Sequence, residues 1–178
     1  MRKVLYILGQ LHDRDVEWLA RNGARRQLDD GTVLIHEGEP LDALFILLEG
    51  HLDVTAAGVG SVARLSPGEM VGEMSFVDSA PPSATVRANG GCTILEIRRR
   101  ELGEKLARDD AFGHRFYRAL AMFLADRLRG TVQRLGYGED GDLASDAVLE
   151  DELDEGVLDQ VSLAGERFDR MLRILAAS

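Results

Sequence analysis

Gly68-Glu69-Met70-Val71-Gly72-Glu73-Met74-Ser75-Phe76-Val77-Asp78-Ser79-Ala80-Pro81-Pro82-Ser83-Ala84-Thr85-Val86-Arg87-Ala88 is the stretch around which the rest of the chain is read. It opens on Gly-Glu, runs through a short helix-like apolar segment, and returns to a strand at Ala84. A short helix set between two strands presents backbone N–H groups to an anion. Its first turn has no intrahelical acceptor for them and carries the positive end of the helix dipole. Small residues at Ser75 and Ser83 permit close approach, and Glu73 is of the right type to accept hydrogen bonds from a sugar hydroxyl.

The flanks read as short strands. β-branched and apolar runs fall at 32–35, 43–48, 52–55, 62–65, 84–88 and 92–97. Between them stand turn signals: Asp30-Gly31, Gly38, Glu49-Gly50, Gly58 to Gly60, Pro67-Gly68 and Asn89-Gly90-Gly91. Short strands punctuated in this way predict an antiparallel sandwich or barrel, the class that includes jelly rolls. Nineteen glycines with four prolines agree with many tight turns.

Helical spacing frames the strands on both sides. Val4, Leu5, Leu8, Leu11, Val16 and Leu19 predict helical structure over 4–22, with Gly23 as its stop. A short helix is expected over 101–108 and a long one over 111–135. The long one carries Phe112, Phe116, Leu120, Phe123, Leu124, Leu128, Val132 and Leu135 as a broad apolar stripe. In the tail, Val157, Val161, Ala164, Phe168, Met171 and Leu175 recur at alternating steps of four and three. That stripe fits an amphipathic helix docked on its own domain, and it fits a partner or dimer helix equally well.

Charge is concentrated in one place. The chain has 178 residues and a formal net charge of −10. Residues 139–155 hold nine acids and no base, while the body before them is nearly neutral. The expected layout is therefore a domain over 1–138, an acidic linker over 139–155 and a tail helix over 156–178. A nucleic-acid backbone would need a basic stripe, and none is evident, so no nucleic-acid partner is expected. No apolar run approaches 18 residues, so no membrane span is expected. The single Cys92 excludes an internal disulfide framework and points to a reducing, cytoplasmic setting.

The chain carries no recognisable catalytic constellation. His12, His36, His51 and His114 lie far apart, with no metal-ligand spacing. A G-x-S-x-G elbow is missing, and Gly58-Val59-Gly60 reads as a hairpin turn. Arg98-Arg99-Arg100 reads as a solvated helix start rather than a docking patch. The expectation is a protein that is not an enzyme and has no metal or cofactor.

The ordered set of motifs resembles the cyclic nucleotide-binding domain family over about 10–135. The quoted stretch resembles that family's phosphate-binding cassette. Ahead of it, Ile35…Glu37-Gly38-Glu39, then Phe45-Ile46-Leu47…Glu49-Gly50, then Pro67-Gly68 match family features in order. The resemblance implies a mainly β fold, an antiparallel β-jelly roll flanked by helices, with a long C-terminal dimer helix over 111–135. It implies ligand contacts at Gly72, Glu73, Met74, Ser75, Pro82, Ser83, Ala84 and Thr85, with Glu73 as the ribose acceptor and Thr131 as a base contact. The implied ligands are cyclic AMP, cyclic GMP or a cyclic dinucleotide. The implied partners are a second copy through 111–135 and a protein at the tail.

One departure is chemical. The family's phosphate-pairing arginine maps to Pro82. Losing a charge-assisted bidentate pair costs roughly 2–5 kcal/mol, or about 30-fold to several thousand-fold in affinity. Three readings follow: weak binding of a cyclic mononucleotide, binding of a different anion such as a cyclic dinucleotide, or a module that works through protein contacts alone. The other departure lies after 138, where the acidic block and one helix stand in place of a DNA-reading arm. The expected function is a stand-alone regulatory or sensor module, with a ligand-free adaptor as the alternative.

Overall fold

The computed structural model describes residues 4–136 and 155–177. Two short helices lead in, α1 (Val4–Gln10) and α2 (Asp13–Asn22). Six strands follow: β1 (Ala24–Leu28), β2 (Val33–Ile35), β3 (Ala43–Ala56), β4 (Gly60–Leu65), β5 (Met70–Val71) and β6 (Thr85–Arg98). Helix α3 (Glu73–Asp78) interrupts them between β5 and β6. Then come α4 (Arg99–Arg108), α5 (Asp110–Gly136) and α6 (Glu155–Ala176). The acidic block lies, but for Glu155, outside the described residues.

All pairing is antiparallel. The order is β1-β6-β3-β4, with β2 also on β6 and β5 also on β3. This is the expected β-jelly roll with flanking helices. β1 and β5 were not expected: Ala24–Leu28 is mostly charged or polar and exposed, and β5 is only two residues long. Neither carries an alternating pattern that a reader could detect.

The turn signals at Glu49-Gly50 and Asn89-Gly90-Gly91 do not end strands, as the sequence led us to expect. β3 and β6 run through them, pairing from Ala43–Arg98 to Thr55–Thr85 with register shifts around Glu49 and His51. Gly50 sits at φ +84°, and a Cβ there would stand 2.6 Å from the Cys92 Cβ and from the Gly91 carbonyl oxygen. Glycine supplies the bulge that bends the strand pair into a roll.

Period-two alternation splits the core. On β3, Leu44, Ile46 and Leu48 face the helices, packing with Leu11, Leu19, Phe112, Phe116 and Phe123. Phe45 and Leu47 face the inside of the roll with Leu52, Leu65, Val86 and Ile94. Asp15 fastens the helical layer. Its carboxylate accepts the His12 N–H at 2.8 Å and both Arg115 donors at 2.7 and 2.9 Å. Burial alone would raise its pKa. The Arg115 and His12 hydrogen bonds and the Arg115 charge outweigh it and hold the carboxyl below the usual range.

The tail helix docks on its own chain, one of the two readings the heptad left open. Ala164, Met171 and Leu175 are buried in the helical core, with Phe168 and Leu172 packed beside them. Arg167 donates to Asp13 and to the carbonyls of Leu8 and Gly9, all at 3.0 Å. Arg170 pairs with Asp13 at 2.8 Å and Glu17 at 2.6 Å. Arg167 thus caps the C-terminal end of α1, where carbonyls lack intrahelical donors, while Arg170 ties α6 to α2.

Candidate functional site

The cassette begins at Gly72, which takes a left-handed conformation at φ +87° as the N-cap of α3. A Cβ there would lie 2.8 Å from Leu41 Cδ2 and 2.9 Å from the Ala43 carbonyl oxygen. Only glycine lets β5 turn into α3 this close to β3. The turn drops Glu73 inward. It is 2% exposed, and Ser75, two residues along, is buried as well. Met74 points outward and is exposed, so it reaches no interior site.

Glu73 is not left as an isolated buried charge. Arg127 of α5 donates to its carboxylate and, at 3.2 Å, to the Met70 carbonyl. The same guanidinium stands 4.5 Å from the Phe123 ring centroid, a cation–π arrangement within α5. Burial pushes the Glu73 carboxyl above its ordinary value, and the Arg127 charge and hydrogen bond oppose that shift without cancelling it. The acceptor expected for a sugar hydroxyl is thus already engaged, by a residue far along the chain.

A second arginine holds the other end of α3. Arg99 donates to the Ser75 carbonyl at 2.8 Å and to the Ser79 hydroxyl at 2.6 Å, and its guanidinium lies 5.7 Å from the Phe76 ring. The reading of 98–100 as a plain solvated helix start is corrected here: Arg99 folds back onto the cassette. The last carbonyls of a helix lack intrahelical donors, and a nearby cation satisfies them. Apolar packing adds a third tie. Phe76 meets Phe116 edge-on at 6.0 Å, Phe116 stacks on Phe112 at 5.7 Å, and Phe112 meets Trp18 at 5.8 Å. These rings join α3, α5 and α2.

The return half of the cassette sits on another part of the roll. The Pro82 carbonyl accepts the Gly38 N–H at 2.9 Å, and Thr85 Oγ1 accepts the Glu37 N–H at 3.2 Å. Pro82, Ala84 and Thr85 are half-buried, and Ser83 is exposed. Arg87 does not stand in for the missing cassette arginine. It lies on the outer face between buried Val86 and Ala88, and donates to the Gly31 carbonyl at 2.6 Å. Thr131 is exposed one turn beyond Arg127, and its hydroxyl donates to the Arg127 carbonyl at 2.9 Å.

The profile of the family described as "Cyclic nucleotide-binding domain" matches residues 25–109. Those residues belong to the cyclic nucleotide-binding domain family. The crystal structure of a cyclic nucleotide-binding domain from Methylobacillus flagellatus superposes with a TM-score of 0.70 at 24% identity, covering 79% of this chain and 85% of that one. An NTE family protein of Mycobacterium tuberculosis is 27% identical over 143 residues, 78% of this chain and 24% of that protein. A cAMP-dependent protein kinase regulatory subunit of Yarrowia lipolytica is 34% identical over 87 residues, 48% of this chain and 23% of that one. The chain therefore spans about a quarter of the length of these curated relatives.

Within this cyclic nucleotide-binding domain, the sequence placed Gly72, Glu73 and Ser75 together on one short helix, as found. It missed Arg127 and Arg99. Arg127 is part of a polar interruption in the apolar face of 111–135, between Phe123 and Thr131. An arginine four residues from an aromatic on the buried side of a helix was the available signal.

Proposed function

We propose that this domain is a regulatory sensor whose cassette takes a cyclic nucleotide or related anionic ligand, and whose output runs through α5. The observation that carries this reading is the Glu73–Arg127 pair. It joins the residue expected to meet a ligand's sugar to the long helix that leads out of the domain. A ligand that offers hydroxyls to Glu73 competes with Arg127. It releases that guanidinium toward the ligand's phosphate, where it supplies a positive charge that Pro82 cannot. Any difference in affinity between the two Arg127 positions then becomes a shift in the disposition of α5. The chemistry asked of the domain is binding alone, so we assign it no reaction of its own.

Calorimetric titration with cyclic AMP, cyclic GMP and a cyclic dinucleotide tests the reading. Saturable heat with at least one of them, lost in Glu73→Ala and in Arg127→Ala, is expected. Pro82→Arg should tighten the best ligand at least about tenfold, since one charge-assisted pair is worth more than 1.4 kcal/mol. If none of the three binds to the wild type or to Pro82→Arg, the sensor reading is wrong.

A second reading, of a ligand-free adaptor, is favoured by one observation: Glu73 already has its partner. The two readings share an expected assembly. On α5, Tyr117 and Leu128 are 50% and 65% exposed, and with Leu124 they form an apolar strip beside the cassette. Two such strips crossing make a two-fold interface. Light scattering on the full chain should give a dimer, and Leu128→Asp should give a monomer. A wild-type monomer at high micromolar concentration removes this interface.

A further inference from the structure

On the side of α4 away from the helical core, β1, β6 and the 41–45 segment enclose an open cleft of about 770 Å³. That is within the range of roughly 300–1,000 Å³ typical of small-molecule sites. Its floor is Leu41, Ala43 and Phe45, and its rim carries Arg26, Arg98 and Arg100. We propose that this cleft is a second anion site, taking a small phosphorylated, hydroxyl-bearing molecule.

The charges of the rim argue for it. Arg26 pairs with Glu96 across the β1–β6 ladder. Arg99 also borders the cleft, but its guanidinium is committed to α3. Two cations are left. The Arg98 side chain has no ion-pair or hydrogen-bond partner among the described residues, and that of Arg100 reaches only Glu104, at 4.0 Å between two exposed side chains. A pair so exposed and so long contributes close to nothing. Two uncommitted guanidiniums thus flank one concavity in a chain whose net charge is −10. Concave walls concentrate the field of like charges, and a guanidinium fork matches a phosphate or carboxylate bidentately.

Asp42 sets the rest of the specificity. It lies at the same cleft, exposed, with its side chain unpaired among the described residues. A bare anion would meet only repulsion there. A ligand with hydroxyls next to its phosphate gives Asp42 donors while the arginines take the charge. Concavity and the apolar floor select a compact molecule over an extended polyanion. The site shares no residue with the Glu73–Arg127 pair; it adjoins the cassette through Leu41, which lies against Gly72, and through Arg99, which holds α3, so substitutions at Arg98 and Arg100 test it apart from the sensor reading.

Two-dimensional amide NMR on the isotope-labelled chain, titrated with ribose 5-phosphate and with ribose as the uncharged control, tests the proposal. The expected result is saturable shifts confined to 41–45 and 96–100, with a Kd of about 1 mM or tighter, and no response to ribose. The double variant Arg98→Ala/Arg100→Ala should weaken binding at least about tenfold, with its remaining spectrum showing an intact fold. Glu73→Ala should leave the titration unchanged. Absence of saturable shifts in the wild type, equal binding by the double variant, or loss of the shifts in Glu73→Ala would each overturn the proposal.

Discussion

Replacing Arg127 with alanine should destabilise the domain in a way that depends on pH. In the wild type the Glu73 carboxylate is 2% exposed and its counter-charge comes from Arg127, itself 29% exposed. Removing the arginine leaves a buried anion with two ways out: it stays charged and unsolvated, or it takes a proton. Protonation caps the cost. From an ordinary value of 4.5, holding a carboxyl neutral at pH 7 costs about 3.4 kcal/mol, at 1.36 kcal/mol per unit. The charge-related loss in Arg127→Ala at pH 7 should therefore approach but not exceed about 3 kcal/mol. For a domain of this size that is a fall of roughly 6–12 °C in Tm.

The sign of the pH dependence follows from the same group. The folded pKa of Glu73 lies above its unfolded value even in the wild type, because burial outweighs Arg127. Between the two values the folded state binds more protons, so this group's contribution to stability falls as pH rises through that window. In Arg127→Ala the folded value rises further and the window widens upward. Urea unfolding of wild type and variant from pH 4.5 to 8 should show a gap that is small at the acid end and grows with pH. The double variant Glu73→Gln/Arg127→Ala should show no such growth. A gap that stays constant across the range would refute the reasoning, since loss of the Phe123 contact and of the Met70 hydrogen bond has no pH dependence.

Three further outcomes follow from the same structure. Arg99→Ala leaves the Ser75 carbonyl with the Ser79 N–H alone and the Ser79 hydroxyl without its guanidinium partner, so amide exchange over 73–79 should quicken while the rest of the roll is unchanged; slowed or equal exchange there would count against the clamp. Gly72→Ala forces a Cβ into the left-handed region and against the Ala43 carbonyl, and should cost about 2 kcal/mol or more in denaturant unfolding. Met171→Ala removes a fully buried anchor of α6 and should cost about 2–5 kcal/mol; limited proteolysis should then cut within α6, and an unchanged digest would show that the tail does not depend on that seat.

What was legible in the chain was whatever repeats locally. Short apolar runs and turn residues marked β2, β3, β4 and β6, a broad apolar stripe marked α5, and a heptad stripe marked α6. The ordered glycines and Gly72-Glu73 marked the cassette stretch. Local signals misled at Arg99, and they misled where one residue type serves two ends. Gly50 and Gly90 have the positive φ of a turn, but β3 and β6 use them to bend and continue. β1 and β5 had no pattern of their own, because their identity comes from the strands they pair with.

The state of the site was decided by the fold. Glu73 and Arg127 are 54 residues apart, and Arg99 stands 24 beyond Ser75. The spacing of Arg127 from Phe123 marks it as a residue of the buried side, but nothing nearby names Glu73 as its partner. They meet because the Phe76–Phe116 contact lays α3 on α5, and because the roll brings the start of α4 beneath the cassette. A buried carboxylate must find a counter-charge, but which of eighteen basic residues before the acidic block provides it depends on which helix face is nearest. The residues alone determined the kind of pocket to expect. Packing determined that its key acceptor is held by Arg127 of α5, and that the tail lies against its own first two helices.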